Sequence, residues 1–171
     1  DWGWTIVPDG SGWRRAIASP SPIAILESAA IANLVSQGCV VVCVGGGGIP
    51  VVRAENGSLQ GVEAVIDKDH ASGLLARELG ADCLLLLTDV GAVYRDWRTE
   101  AQVAIAEIDP DDLDPLAFEA GTMRPKVEAA AAFVRDTGKR AVIGMSEDIC
   151  DLLAGRAGTQ LQRLKNAAVQ V

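Results

Sequence analysis

The chain has 171 residues, 49% of them apolar and only 4% aromatic, which allows one domain with a packed core and excludes disorder. The net charge is −8 and the pI about 4.6, which excludes a broad nucleic-acid or anionic-membrane surface but not a pocket for one small anion. Cys39, Cys43, Cys83 and Cys150 form no Cys-x-x-Cys pair and the single His70 supplies no zinc set, so buried, reduced thiols in a cytoplasmic protein are expected. The longest apolar runs, 40–44 and 84–87, are too short to cross a bilayer, and no signal peptide is recognisable. The chain opens on Asp1 rather than Met, which raises the expectation of an upstream portion.

Residues 1–20, with Trp2, Trp4, Trp13, Gly10 and Gly12, predict an irregular or hairpin-like lead-in. Ser21-Pro22 offers an N-cap and then proline at the first helical position. Ile23, Leu26, Ile31, Leu34 and Val35 continue a helical stripe that Gly38 stops. The continuous apolar run 39–44 predicts a strand covered on both faces, and it leads into Gly45-Gly46-Gly47-Gly48. Asn56-Gly57 between two apolar stretches predicts a small β-hairpin excursion. Asp67 caps a helix from Lys68 to about 79, closed by Gly80. A second buried strand at 83–87 ends in Thr88-Asp89-Val90-Gly91.

Short strands are expected at 93–94 and 103–108, then a short helix over 109–118 whose Asp-rich opening is solvated. An Ala-rich helix starting near Pro125 runs to about 137, followed by a third strand at 140–145. A last helix runs from Ser146 to Gly155, and the tail from Gln162 is weakly specified. Strands alternating with helices predict an α/β fold, a three-layer αβα sandwich with a mostly parallel sheet. The division is a lead-in over 1–20, an α/β domain over 21–161 and a tail over 162–171. Ligands in such folds bind beyond the carboxyl ends of strands, where the loops after Val44 and Leu87 fall.

Four places carry candidate chemistry. The glycines 45–48 either make a structural turn or let backbone N–H groups approach a phosphate; they form neither a Walker A loop nor GxGxxG. Lys68 lies in a first helical turn, where the helix end is already partly positive. Either Asp67 and Asp69 form a solvated capping patch around it, or a bound anion offsets the charge. Lys126, after Arg124-Pro125, repeats this placement at another helix start. If both helices point at one pocket, the two lysines hold a phosphoryl group from two sides and Asp69 orients them. Phosphoryl transfer suits this equipment, because positioning and charge neutralisation supply most of its catalysis. No Ser/His/Asp relay is evident, and an acceptor that is already an anion needs no general base. Thr88-Asp89 either contacts a Mg-nucleotide or caps its loop.

These stretches together resemble the carbamate kinases of the amino-acid kinase family. The matching motifs are Gly12-Trp13-Arg14-Arg15, Ser19-Pro20-Ser21-Pro22, Gly45-Gly46-Gly47-Gly48-Ile49-Pro50-Val51, Gly61-Val62-Glu63-Ala64-Val65-Ile66-Asp67-Lys68-Asp69, Leu87-Thr88-Asp89-Val90-Gly91-Ala92-Val93-Tyr94, Gly121-Thr122-Met123-Arg124-Pro125-Lys126-Val127-Glu128-Ala129 and Gly155-Arg156-Ala157-Gly158-Thr159. They stand in family order and cover most of residues 10–160. The resemblance implies that ATP and carbamate give ADP and carbamoyl phosphate, often run towards ATP, with Mg²⁺, a small-molecule substrate and a homodimer. It implies that Lys68 and Lys126 contact the transferring phosphoryl group and that Asp69 organises them. It further implies that Gly45, Gly46, Gly47, Gly48, Thr88, Asp89, Val90, Tyr94, Thr122 and Met123 line the phosphate and nucleotide sites.

Three departures qualify the match. The family's N-terminal half, with its glycine-rich loops for the carbamate side, is absent, so nucleotide binding without turnover is expected of this chain. Val7-Pro8-Asp9 offers no lysine where many members carry one upstream of the Gly-Trp-Arg-Arg segment. Arg124 stands where members often have a smaller residue; it either adds a phosphate contact or points to solvent. The alternatives to a carbamate kinase are a non-catalytic nucleotide-binding fragment and a sister kinase acting on another carboxylate.

Overall fold

The computed structural model describes residues 3–118 and 122–164; Trp2, Gly121 and residues 165–171 of the tail lie outside them. The lead-in is a hairpin of β1 (Ile6–Asp9) and β2 (Gly12–Arg15). Helix α1 (Ser28–Ser36) follows, then the hairpin of β3 (Val51–Arg53) and β4 (Leu59–Gly61) around Asn56-Gly57. Helix α2 (Lys68–Glu78) leads into strand β5 (Cys83–Thr88). A third hairpin pairs β6 (Val93–Arg95) with β7 (Val103–Ile105) and runs into β8 (Glu107–Ile108). Helix α3 (Met123–Thr137), strand β9 (Arg140–Met145), helix α4 (Ile149–Leu153) and strand β10 (Thr159–Leu161) complete the described chain.

The central sheet has the order β5-β9-β10-β8. β5 and β9 are parallel, β9 and β10 antiparallel, β10 and β8 parallel, so the sheet is mostly parallel. Side chains alternate across it with period two. Leu84, Leu86, Ala141 and Ile143 share a core with Val127, Ala130, Phe133 and Val134 of α3, which places α3 on one face. Gly144, of opposite parity, lies against Leu152 of α4, which places α4 on the other. The result is three layers, the second helical layer only five residues long. Leu87, which pairs with Gly144 in register, therefore stays exposed.

Short connections orient the helices. α2 enters β5 after four residues and α3 enters β9 after two, so each helix runs antiparallel to the strand it feeds. Both helix starts therefore lie at the carboxyl end of β5 and β9, beside Thr88 and Asp89.

Several expectations fail. Ser21-Pro22 starts no helix: α1 begins at Ser28, after Glu27, whose side chain makes no capping bond. Only Ile31 of α1 is buried, and an extra turn without packing does not sustain itself. The run 39–44 forms no regular element, with Val44 at φ of +67°, and joins no sheet among the described residues, leaving Val40 and Val42 96% and 97% exposed. Its side chains predict burial; with no neighbouring strand, they have nothing to be buried against. Residues 109–118 form not one helix but two short 3-10 turns, Pro110–Asp112 and Pro115–Ala117. The cysteines are free, but Cys39 and Cys150 are exposed and Cys43 and Cys83 only half-buried. β10 has no counterpart in the sequence reading.

Candidate active site at the starts of two helices

Asp67 caps α2, its carboxylate accepting from the N–H groups of Asp69 (2.8 Å) and His70 (3.1 Å). α3 starts at Met123, earlier than expected, so Pro125 and Lys126 both lie in its first turn. Proline is tolerated there because first-turn N–H groups have no intrahelical acceptor. α2 and α3 pack at Gly73, where a side chain would press on Ala129. Asp69 stands four residues before Gly73 and Lys126 three before Ala129. The close approach thus continues one turn back to the ion pair. Lys126 Nζ donates to Asp69 Oδ1 and Oδ2, both at 3.0 Å, and both residues are buried. Two of the ammonium's three protons are thereby directed at the carboxylate, and the third meets no acceptor among the described residues.

The glycine run reaches the same place. Gly47 is buried with φ of +126°, and a Cβ there would overlap the carbonyl oxygen of Ile66. Only glycine lets this loop lie against the backbone just before Lys68. Gly45 and Gly48 flank it in the same loop, as does Gly46. Lys68 is the first residue of α2; it is exposed and makes no ion pair with a described residue. The structure therefore joins Asp69 to Lys126 directly and leaves Lys68 beside them with its charge available. His70 Nε2 lies 3.3 Å from Glu128, a half-buried contact between α2 and α3.

A cavity of about 800 Å³ opens at the carboxyl end of β5. Thr88, Asp89, Val90, Tyr94, Thr122 and Met123 all line it. Thr88 Oγ1 lies 3.2 Å from Asp89 Oδ1, a local contact at the strand end. Met123 begins the helical turn that carries Lys126, so the cavity and the ion pair adjoin through α3. Arg124 is partly buried rather than pointing to solvent: its guanidinium donates to the Phe118 carbonyl at 2.9 and 3.1 Å. Sequence reasoning missed Arg95, Asp96, Trp97, Arg98, Ile105, Asp112, Asp114 and Phe118 on the cavity wall. Tyr94 and Trp97 pack there as a tilted ring pair, with centroids 5.1 Å apart and 37° between their planes. No local signal marks these residues, because loops distant in sequence assemble the wall.

The Asp-rich run is an exposed helix start, as expected, but two of its carboxylates are paired. Asp109 accepts from the N–H groups of Asp111 (3.0 Å) and Leu164 (2.8 Å), which lower its pKa, with Arg163 adding to the effect. Asp111 pairs with Arg163 and Arg135, and those guanidinium bonds hold its pKa down. Burial raises the Cys83 thiol, with Arg140 offsetting part of the shift, so this thiol is not primed as a nucleophile. Among the described residues no three or more of His, Cys, Asp and Glu converge on a possible metal position. A protein-built Mg²⁺ cage does not fit this donor set.

A three-layer α/β fold with two helix starts, a glycine loop and a lined cavity at one strand end is an arrangement suited to binding phosphate. The Amino acid kinase family matches residues 6–144, and the chain belongs to that family. It is 46% identical over 160 residues to the carbamate kinase of Haemophilus influenzae and 49% over 158 to that of Escherichia coli K12. These alignments cover 94% and 92% of this chain but 52% of each relative. A solved carbamate kinase from Giardia lamblia bound to AMP-PNP superposes with a TM-score of 0.84 at 39% identity, over 94% of this chain and 52% of that one. The chain thus spans about half the length of the relatives it matches.

Proposed function

We propose that this chain forms the nucleotide- and phosphoryl-binding part of a carbamate kinase, residues 21–161 being the nucleotide-binding unit. The observation that carries the reading is the buried Asp69–Lys126 pair at adjoining helix starts beside the cavity. The names of the relatives and the AMP-PNP bound by the Giardia enzyme support it. The cavity lies within the size range of small-molecule sites, roughly 300–1,000 Å³. Its apolar and aromatic wall suits a base and sugar. Asp89, Asp96, Asp112 and Asp114 outnumber Arg95 and Arg98 on it, so phosphates belong instead at the helix starts.

In the reaction, a carbamate oxygen bonds to the γ-phosphorus of ATP as the bond to the bridging oxygen of ADP breaks. Carbamate is already anionic, so no residue need remove a proton. Lys126, held by Asp69, and Lys68, on the exposed side, neutralise the oxygens of the transferring group. The N–H groups beside Gly47 offer phosphate donors. When bound, Mg²⁺ would supply charge neutralisation on the phosphates. The same resemblance supports a cytoplasmic homodimer. No helix of the described residues is long and apolar enough to cross a membrane.

The test is coupled ATP formation from ADP and carbamoyl phosphate. A parent enzyme containing this sequence should turn over, and Lys68→Ala or Lys126→Ala should each lose roughly 3 kcal/mol of transition-state stabilisation, on the order of 10²-fold in kcat/KM. Unchanged rates in both variants would sink the assignment. The 171-residue chain should bind ADP by calorimetry yet give no turnover, because it spans about half of each relative. The non-catalytic reading is favoured instead if the parent also fails to turn over while binding ADP.

A further inference from the structure

We propose that Thr159 is the positioning residue for the nucleotide wall of the cavity, a role that rests on the nucleotide reading above. Thr159 is the first residue of β10 and fully buried. Its hydroxyl accepts from the Val93 N–H at 2.8 Å and donates to the Ile105 carbonyl at 2.5 Å. Val93 and Ile105 are partners in register at the root of the β6–β7 hairpin. That hairpin carries Tyr94, Arg95, Trp97 and Arg98 onto the cavity. One hydroxyl therefore bolts both legs of the hairpin to the central sheet.

The rest of the Gly155–Thr159 motif serves this placement. Gly158 has φ of +71°, and a Cβ there would overlap the Ile143 carbonyl and the Leu152 side chain. Glycine lets the chain turn tightly against β9, so Thr159 enters the sheet opposite Ile143. Gln160 fixes the next step: its backbone N–H donates to the Ala106 carbonyl at 2.9 Å, and its side-chain amide donates to the carbonyls of Leu152 and Ala157. A threonine hydroxyl both donates and accepts, which this position requires. Valine has the same shape but leaves the buried Val93 N–H and Ile105 carbonyl unpaired.

The experiment compares Thr159→Val with Thr159→Ser in this chain, by hydrogen exchange without nucleotide and by ADP titration. In the valine variant, amides 93–105 should exchange about tenfold faster while β9 keeps its protection, and ADP should bind about tenfold more weakly. The serine variant should match the parent chain in both. If the valine variant fails to fold, Thr159→Ala replaces it in the same comparison. Unchanged hairpin exchange without the hydroxyl overturns the proposal, as does an equal loss in the serine variant or a loosened hairpin with unaltered ADP affinity. Failure of the parent chain to take up ADP sinks the nucleotide reading, whereas the nucleotide-free exchange comparison judges the hydroxyl bolt by itself.

Discussion

Lys68 and Lys126 share a proposed role but not an environment. Lys126 is buried and gives two hydrogen bonds to Asp69; Lys68 is exposed and unpaired among the described residues. Their effects on stability should therefore separate from their effects on catalysis. Asp69→Ala strands a buried ammonium and should cost about 3–5 kcal/mol in urea unfolding. Lys68→Ala removes no side-chain hydrogen bond or ion pair seen among the described residues and should fall within about 0.5 kcal/mol of the parent. Equal unfolding midpoints for the two variants would contradict the buried pair. The sequence marks both lysines as oddly charged helix starts, but the 57-residue separation between Asp69 and Lys126 hides which one pairs.

At the scale of elements, the 109–111 turn is tied to the chain after β10 by Asp109 and Asp111 with Arg163 and the Leu164 N–H. Both carboxyls have lowered pKa values in the folded state. Their contribution is therefore fully present above the unfolded aspartate value of about 3.9 and is lost as pH falls through the lower folded values. The thermal midpoint should drop below about pH 4, and more shallowly in Asp109→Asn than in the parent. Parallel midpoint-against-pH curves would show that the tie contributes nothing. The acidic run was legible as a helix-start signal. Its partners were not, because they arrive from the far end of α3 and from a tail of weak local preference.

Across the whole molecule, order is unevenly distributed. α3, β5 and β9 share a dense core in which Phe133, Val127 and Ile143 are fully buried. The run 39–44 has equally apolar residues yet pairs with no strand among the described residues. Its backbone bonds are local, from the Cys39 N–H to Leu34 and into Cys43 from the Gly45 N–H. Amides 40–44 should therefore exchange within the fastest class of the chain while 141–144 approach global protection. Equal protection of the two segments would mean that 39–44 is paired in solution.

The sequence by itself determined the elements whose signals are local. Asp67 caps its helix, Asn56-Gly57 turns its hairpin, Gly138 ends α3, and the apolar runs of β5 and β9 make strands. The motifs also determined the family. Only the tertiary structure decided that Asp69 meets Lys126, that Arg124 turns back to Phe118, and that the three-residue β10 enters the sheet to place Thr159. It also left 39–44 uncovered. Capping and turn formation depend on neighbours a few residues away, whereas burial and ion pairing depend on what folding brings alongside. The two helix-start cations are thus visible in the sequence, but the buried pairing of only one of them is a property of the packed chain.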